Sequence, residues 1–157
     1  FMAGFADVVR LPRPKKEITD VHVLLQDLYR LLKPELDRRC ISFTWRLAPG
    51  TVCLALDKNQ MEQVLLNIFK NAMEAIKESG EIEVQTQADP PRIIVTDTGE
   101  GIPEDIQPHL FTPFYTSKKT GQGIGLTMVR DILMNHGYTF SLSSNGQGRT
   151  QFVINLA

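Results

Sequence analysis

A chain of 157 residues with 42% apolar and 22% charged side chains has the size and composition of one globular domain. Its 17 basic side chains against 18 acidic ones include no long basic tract, which argues against a nucleic-acid partner and against direct contact with an anionic membrane. No apolar run approaches the roughly 20 residues that span a bilayer, and Cys40 and Cys53 form neither a disulfide framework nor a zinc knuckle, so a cytoplasmic, reducing setting is expected.

The chain opens on Phe1 rather than Met, which reads as a cut from a longer protein. Phe1, Phe5, Val8, Val9 and Leu11 have loose helical spacing, and Pro12 and Pro14 stop that pattern. Residues 1–16 are therefore expected to be the tail of a preceding helical element plus a stiff linker, with the main domain at 17–157. Val21, Leu24, Leu25, Leu28, Leu31 and Leu32 predict a helix capped by Asp20, with Pro34 near its end marking a kink or a boundary. Ile41, Phe43, Trp45 and Leu47 alternate with polar residues as in a half-buried strand; Pro49-Gly50 supplies a turn, and a short strand is expected over 51–56.

Asp57 is placed to cap a second helix, Gln60 to complete a capping box, and Leu56 to staple against Met61. Met61, Val64, Leu65, Ile68, Ala72 and Ile76 carry its apolar stripe to about Glu78, with Gly80 as the stop. A hairpin is expected over 81–87 and 92–97 around Asp89-Pro90-Pro91. A short helical turn at 104–110, a helix from about 122 to 136 ended by Gly137, and strands at 139–144 and 150–156 complete the pattern. Because helices do not alternate with every strand, the expected class is α+β: a two-layer sandwich whose mixed, mainly antiparallel sheet is covered on one face by helices.

Gln63, Asn67 and Asn71 recur every four residues on the second helix, with Glu74 on nearly the same face and Lys70 beside it. Amide oxygens at that spacing suit a magnesium–phosphate group, since magnesium takes hard oxygen ligands and keeps waters. The wet face of an amphipathic helix accounts for the same stripe. Asp97-Thr98-Gly99-Glu100-Gly101 follows a strand: the glycines permit a sharp path and close approach, and Asp97 can accept from an exocyclic amine such as that of adenine. A glycine turn before an acidic cap has the same composition.

Gly121-Gln122-Gly123-Ile124-Gly125-Leu126 leads into the third helix, whose free amides can bind phosphate oxygens. It is neither a Walker loop nor a dinucleotide fingerprint, and loose interhelical glycines are the plain alternative. Lys118 and Lys119 upstream can neutralise phosphate or be ordinary surface. Phe111, Pro113, Phe114 and Tyr115 suit the anchor of a lid, with core packing the simpler role for both phenylalanines. A hairpin turn explains Gly146, Gly148 and Thr150 as well as a pocket wall does. His22, His109 and His136 show no metal-ligand spacing and read as structural or solvent-facing, with the helix dipole favouring a charged His136. Cys40 reads as a small packing residue and Cys53 as a strand residue, neither with a local base.

In this order, QVLLNIFKNAMEAI, DTGEGIP, LFTPFYTSK, GQGIGLTMV and the closing GQGRTQFVINL resemble the catalytic ATP-binding domain of bacterial sensor histidine kinases. These belong to the superfamily shared with DNA gyrase, the ninety-kilodalton heat-shock chaperone and mismatch-repair ATPases. The resemblance spans Gln63 to Leu156 by motif and reaches back to about Asp20 by element order. It implies ATP and magnesium as cofactors: Asn71 as metal ligand, Asn67 ordering phosphate and metal, Lys70 on the phosphate side, and Asp97 on the adenine amine. Gly99, Gly101, Ile102 and Thr150 would line the pocket; Lys118, Gly121, Gly123, Ile124, Gly125 and Leu126 would form the phosphate-side lid and helix entrance, and Phe114 with Phe111 the anchor. TSKKTGQG and RLPRP are similar to the compact lid and the helix exit of nitrogen-regulation-type kinases. None of the three histidines lies in the phosphoacceptor motif, so the implied partners are a histidine-containing dimerisation domain and a response-regulator receiver domain, and autophosphorylation of this chain alone is not expected. An ATP-hydrolysing switch of the gyrase branch, which has glutamate where Asn67 stands, and an anti-sigma-like serine kinase or nucleotide sensor are the alternatives.

Overall fold

The computed structural model describes residues 11–102, 105, 123–144 and 148–157. In chain order they form β1 (Glu17–Asp20), α1 (Val21–Arg38), β2 (Ile41–Arg46), β3 (Cys53–Leu56), α2 (Lys58–Ala75), β4 (Gly80–Ala88), β5 (Pro91–Asp97), α3 (Gly123–Asn135), β6 (Thr139–Ser144) and β7 (Thr150–Asn155). The main sheet runs β2-β4-β5-β7-β6; only β2–β4 is parallel among its pairings. The expected α+β sandwich, with a mixed, mainly antiparallel sheet covered by helices, is the fold observed.

Sequence alone did not separate a second sheet. β3 turns away from β2 and pairs antiparallel with β1, a strand not expected at the start of the main domain, leaving β2 to pair in parallel with β4. Parallel neighbours need a long crossover, and here β3 and α2 supply it.

Asp20 caps α1 by accepting from the amides of His22 and Val23. Val21, Leu24, Leu25, Leu28, Leu32 and Leu36 face the core, but Leu31 falls at the edge of that arc and is 67% exposed. The helix continues through Pro34, which lies on the exposed side where the carbonyl it leaves unpaired can meet water. His22 is buried, its Nε2 2.8 Å from Thr86 Oγ1, an oxygen that also accepts from the Ala48 amide. Tyr29, Phe43 and Trp45 have ring centroids 4.8–5.5 Å apart, and Phe43 meets Phe69 edge-on, joining β2 to both helices. Cys40 is no packing residue: it is exposed and takes φ 57° where the chain leaves α1.

α2 has the stripe its sequence predicts, with Phe69 and Met73 added. Its capping box is only half formed. Asp57 accepts the Gln60 amide, but the Gln60 side chain donates to the Pro12 carbonyl, and the Asp57 amide donates to His136 Nε2. α2 also stops at Ala75 rather than near Glu78: Ile76 turns to φ −90°, ψ 115° and buries its side chain, and Gly80 opens β4 instead of closing the helix. A glycine fits closely there: a Cβ would lie 2.6 Å from Thr98 Oγ1, an oxygen that accepts the Glu81 amide.

Along the core-facing side of the sheet, pairing aligns Phe43, Ile82, Asp97, Thr150 and Ser144 in one row. The next row inward is apolar, with Val84, Val95 and Phe152, and the one after it sets Ile93 and Ile154 beside the buried Thr86. Truncating such a side chain, for example Val95 or Phe152, removes buried area and leaves a cavity.

Candidate active site

Strand alternation that buries Ile93 and Val95 carries Asp97 to the same face at the end of β5, where a carboxylate is 6% exposed. Burial of a charged group at an apolar register position is the kind of local inconsistency that marks a working site. The bend after it is held at three points. Asp97 Oδ1 accepts the Gly99 amide at 2.9 Å; Thr98 Oγ1 accepts the Glu81 amide at 2.9 Å while its own amide donates to the Glu81 carbonyl; and the Glu100 amide donates to the Ala75 carbonyl at 3.1 Å.

The glycines explain how the bend fits against the end of α2. A Cβ on Gly99 would lie 2.6 Å from both the Cβ and the carbonyl oxygen of Ala75. Gly101 has φ +82°, and a Cβ there would lie 2.7 Å from Ser144 Oγ. The close approach expected of Gly99 is therefore to the helix end, and Gly101 supplies the left-handed turn.

Ala75 lies one turn beyond Asn71 and two beyond Asn67, so this contact sets the stripe of Asn67 and Asn71 next to the Asp97–Gly101 bend. Asn67 is half-buried and donates through Nδ2 to the Gln63 carbonyl at 2.9 Å, a bond that does not use its amide oxygen. Asn71 is half-buried, while Lys70 and Glu74 are exposed. Thr150 is the direct ladder partner of Asp97, is buried, and lies 3.5 Å from Ser144 Oγ. Ile102 follows the bend and is half-buried.

The third motif reaches the same end through helix packing. His136, just past α3, accepts the amide of Asp57, the cap of α2, and the two helices pack against each other. They therefore run in opposite directions. At about 1.5 Å per residue the 13 residues of α3 extend about 20 Å, which returns Gly123 to the level of Asn71. Gly123, Ile124 and Gly125 are in the first turn of α3 and Leu126, next along, is half-buried. Phe111, Phe114, Lys118 and Gly121, with the expected turn at 104–110, lie outside the described residues.

A cation placed here would meet amide oxygens. Among the described residues no group of three or more His, Cys, Asp or Glu side chains comes together to hold a metal. That donor set suits magnesium, which retains waters and takes most of its shell from phosphate, better than a metal needing a protein cage. The residues that reading motifs did not single out are Thr98, Ala75 and Ser144. Thr98 and Ala75 sit inside quoted motifs as unremarkable residues, and nothing in the sequence marks Ser144.

A two-layer sandwich with a buried aspartate and a glycine bend seated on an asparagine-bearing helix defines the class of ATP-binding kinases and ATPases that the sequence resembles. Residues 56–157 match the family model described as "Histidine kinase-, DNA gyrase B-, and HSP90-like ATPase", and the chain belongs to this family. It is 31% identical over 155 residues to the sensor protein FixL of Bradyrhizobium diazoefficiens, covering 96% of this chain and 31% of FixL. It is 32% identical over 161 residues to the sensory histidine kinase/phosphatase NtrB of Rhizobium leguminosarum bv. phaseoli, covering 90% of this chain and 42% of NtrB. The chain thus spans less than half the length of these curated relatives. Among solved structures, the nucleotide-free catalytic domain of histidine kinase ThkA superposes with a TM-score of 0.79 at 26% identity, over 89% of this chain and 93% of that one. The mycobacterial sensor histidine kinase MprB gives 0.72 at 26% identity, over 88% and 95%. The chain is a histidine-kinase catalytic ATP-binding domain with the general mechanism of that superfamily. No helix among its described residues is long and apolar enough to cross a membrane.

Proposed function

We propose that the chain binds magnesium-ATP and presents its γ-phosphoryl group to a histidine on a separate dimerisation domain, for relay to an aspartate of a response-regulator receiver domain. The observation that carries this reading is the buried, core-facing Asp97 carboxylate beside the Asn67–Asn71 stripe. Asp97 selects adenine by accepting its exocyclic amine; Gly99, Gly101, Ile102 and Thr150 shape the ring's surroundings. Asn71 supplies an oxygen to magnesium, Asn67 orders the phosphate–metal region, and Lys70 adds positive charge on the phosphate side. The amides opening α3 at Gly123, Ile124, Gly125 and Leu126, together with Gly121 and Lys118, receive phosphate oxygens, and Phe114 anchors the intervening segment. The bound magnesium would offset phosphate charge.

Phosphoryl transfer asks the protein mainly for alignment and charge stabilisation. The incoming histidine is the nucleophile. Asn67 has no carboxylate with which to activate water, so transfer to a side chain is favoured over hydrolysis, and the gyrase-like alternative loses its base. In this reading residues 1–16 are the end of the dimerisation helix and its linker, and the domain works on the cytoplasmic side. The TSKKTGQG and RLPRP segments, with the similarity to NtrB, support placement in the nitrogen-regulation branch. Calorimetric titration with ATP and ADP, with and without magnesium, tests binding: no saturable uptake of either would refute the function. Adding a dimerisation domain that carries its histidine should then give acid-labile, base-stable radiolabel on that partner.

A further inference from the structure

At the end of α2 remote from Asp97, Asp57, Gln60 and His136 form a polar joint that is 9%, 8% and 5% exposed respectively. The Lys15 amide donates to Asp57 Oδ2 at 2.9 Å, and Gln60 Nε2 donates to the Pro12 carbonyl at 3.0 Å. The Asp57 amide donates to His136 Nε2 at 3.1 Å. Because Nε2 accepts, the ring proton sits on Nδ1, which donates to the Ile132 carbonyl at 2.9 Å, and the Tyr138 ring stands 5.2 Å away. One residue, Asp57, therefore holds the incoming linker with its side chain and the end of α3 with its backbone. Gln60 Oε1 is buried with no hydrogen-bond partner among the described residues, so the joint is incompletely satisfied and has less to lose by rearranging than a closed network has.

We propose that His136 is a positioning residue. Through Asp57 it couples the path of residues 12–15 to the placement of α3, and so to the α3 first turn at the nucleotide end. Linkage makes the coupling reciprocal: nucleotide that fixes the first turn of α3 tightens the hold on the linker, and a displaced linker weakens nucleotide binding. The inference rests on the nucleotide site proposed above.

Amide hydrogen exchange on the full chain tests it, with a non-hydrolysable ATP analogue and magnesium as the probe. His136→Phe keeps a ring but removes the acceptor, whereas His136→Gln retains an oxygen near the Nε2 position. Lys15 does not touch His136, yet its amide should exchange about five- to tenfold faster in H136F, the factor that loss of one ordinary hydrogen bond gives. In H136Q the change should stay below about twofold. The analogue should slow Lys15 exchange in the wild type and H136Q but not in H136F. Unchanged Lys15 exchange in folded H136F, or a retained nucleotide response there, would overturn the coupling. Should H136F not fold, Lys15→Pro deletes the linker donor without altering α2 or α3; faster exchange at the start of α3 supports the joint, and unchanged exchange rejects it. If the wild type binds no nucleotide, the functional reading fails, while the H136F and H136Q comparison at Lys15 still decides the joint.

Discussion

The two ends of α2 are held in opposite ways. At its start, side chains make the attachments: Asp57 reaches the Gln60 and Lys15 amides, Gln60 reaches Pro12, and His136 closes on the cap from α3. At its finish the glycine bend is seated by backbone, with the Glu100 amide on the Ala75 carbonyl and Gly99 close enough to exclude a Cβ, and the Arg39 side chain adds a bond from its Nη2 to the Ile76 carbonyl. A helix end tied by side chains consumes polar groups, whereas the contact that seats the bend on α2 is made by backbone, and of the polar side chains Asn67, Asn71 and Asp97 it is Asp97 that spends an oxygen inside the bend, on the Gly99 amide. The second arrangement suits an end where those polar side chains have a ligand to meet.

Replacing the groups at the glycine-seated end should have the largest effect on function. Asp97→Asn should weaken ATP binding by about 2–3 kcal/mol, roughly 30- to 150-fold, because a buried charge-assisted hydrogen bond is lost. Calorimetry at a temperature where circular dichroism shows the variant folded would check this, and a change under threefold would remove Asp97 from the adenine role. Gly99→Ala should cost about 1–3 kcal/mol in stability, since Ala75 backbone cannot yield as a side-chain tip can; urea denaturation reads the effect. Asn71→Ala should erase most of the gain in ATP affinity that magnesium confers while leaving magnesium-free binding nearly unchanged.

At the side-chain-tied end the expected signature is acid sensitivity. Burial alone would push the Asp57 carboxyl up, but hydrogen bonds from the Gln60 and Lys15 amides hold it below the usual carboxylate range. A depressed folded-state value means that its stabilisation is complete above about pH 4 and is lost as pH falls through the lowered value. Acid unfolding of Asp57→Asn should therefore show a flatter dependence below about pH 4 than the wild type, and identical profiles would dissociate Asp57 from that limb. The smallest effect belongs to neither end. Arg30→Ala, which removes an exposed pair with Asp27, should move Tm by no more than about 1–2 °C.

The difference between these ends also governs what could be read from sequence. Periodicity carried the apolar stripe of α2, the β4–β5 hairpin and the last two strands, because each is a local pattern acting on one face. The bend from Asp97 to Gly101 was legible as a glycine turn at a strand end, since glycine spacing and an acid closing a strand are both local signals. Its seat on Ala75 was not: a small residue in a helix has many uses, and the contact links distant parts of the chain. The same limit hid β1, whose partner is β3 rather than a sequence neighbour, and misassigned Gln60, whose amide was claimed by Pro12. His136 was read as a helix-end residue favoured in its charged form, yet it is buried and accepts a backbone amide from a residue remote in sequence. Leu31 shows the converse, an apolar residue at the edge of the helix's apolar arc that stays 67% exposed.

Since α3 is fastened at His136 and extends about 20 Å to its glycine-rich beginning, it has the geometry of a lever pivoted at one tip. Each degree of tilt at the pivot sweeps the opposite tip through about 0.35 Å on that rod length. A swing of about five degrees would shift the far tip by more than an ångström, past the fully buried Val129, Ile132 and Leu133.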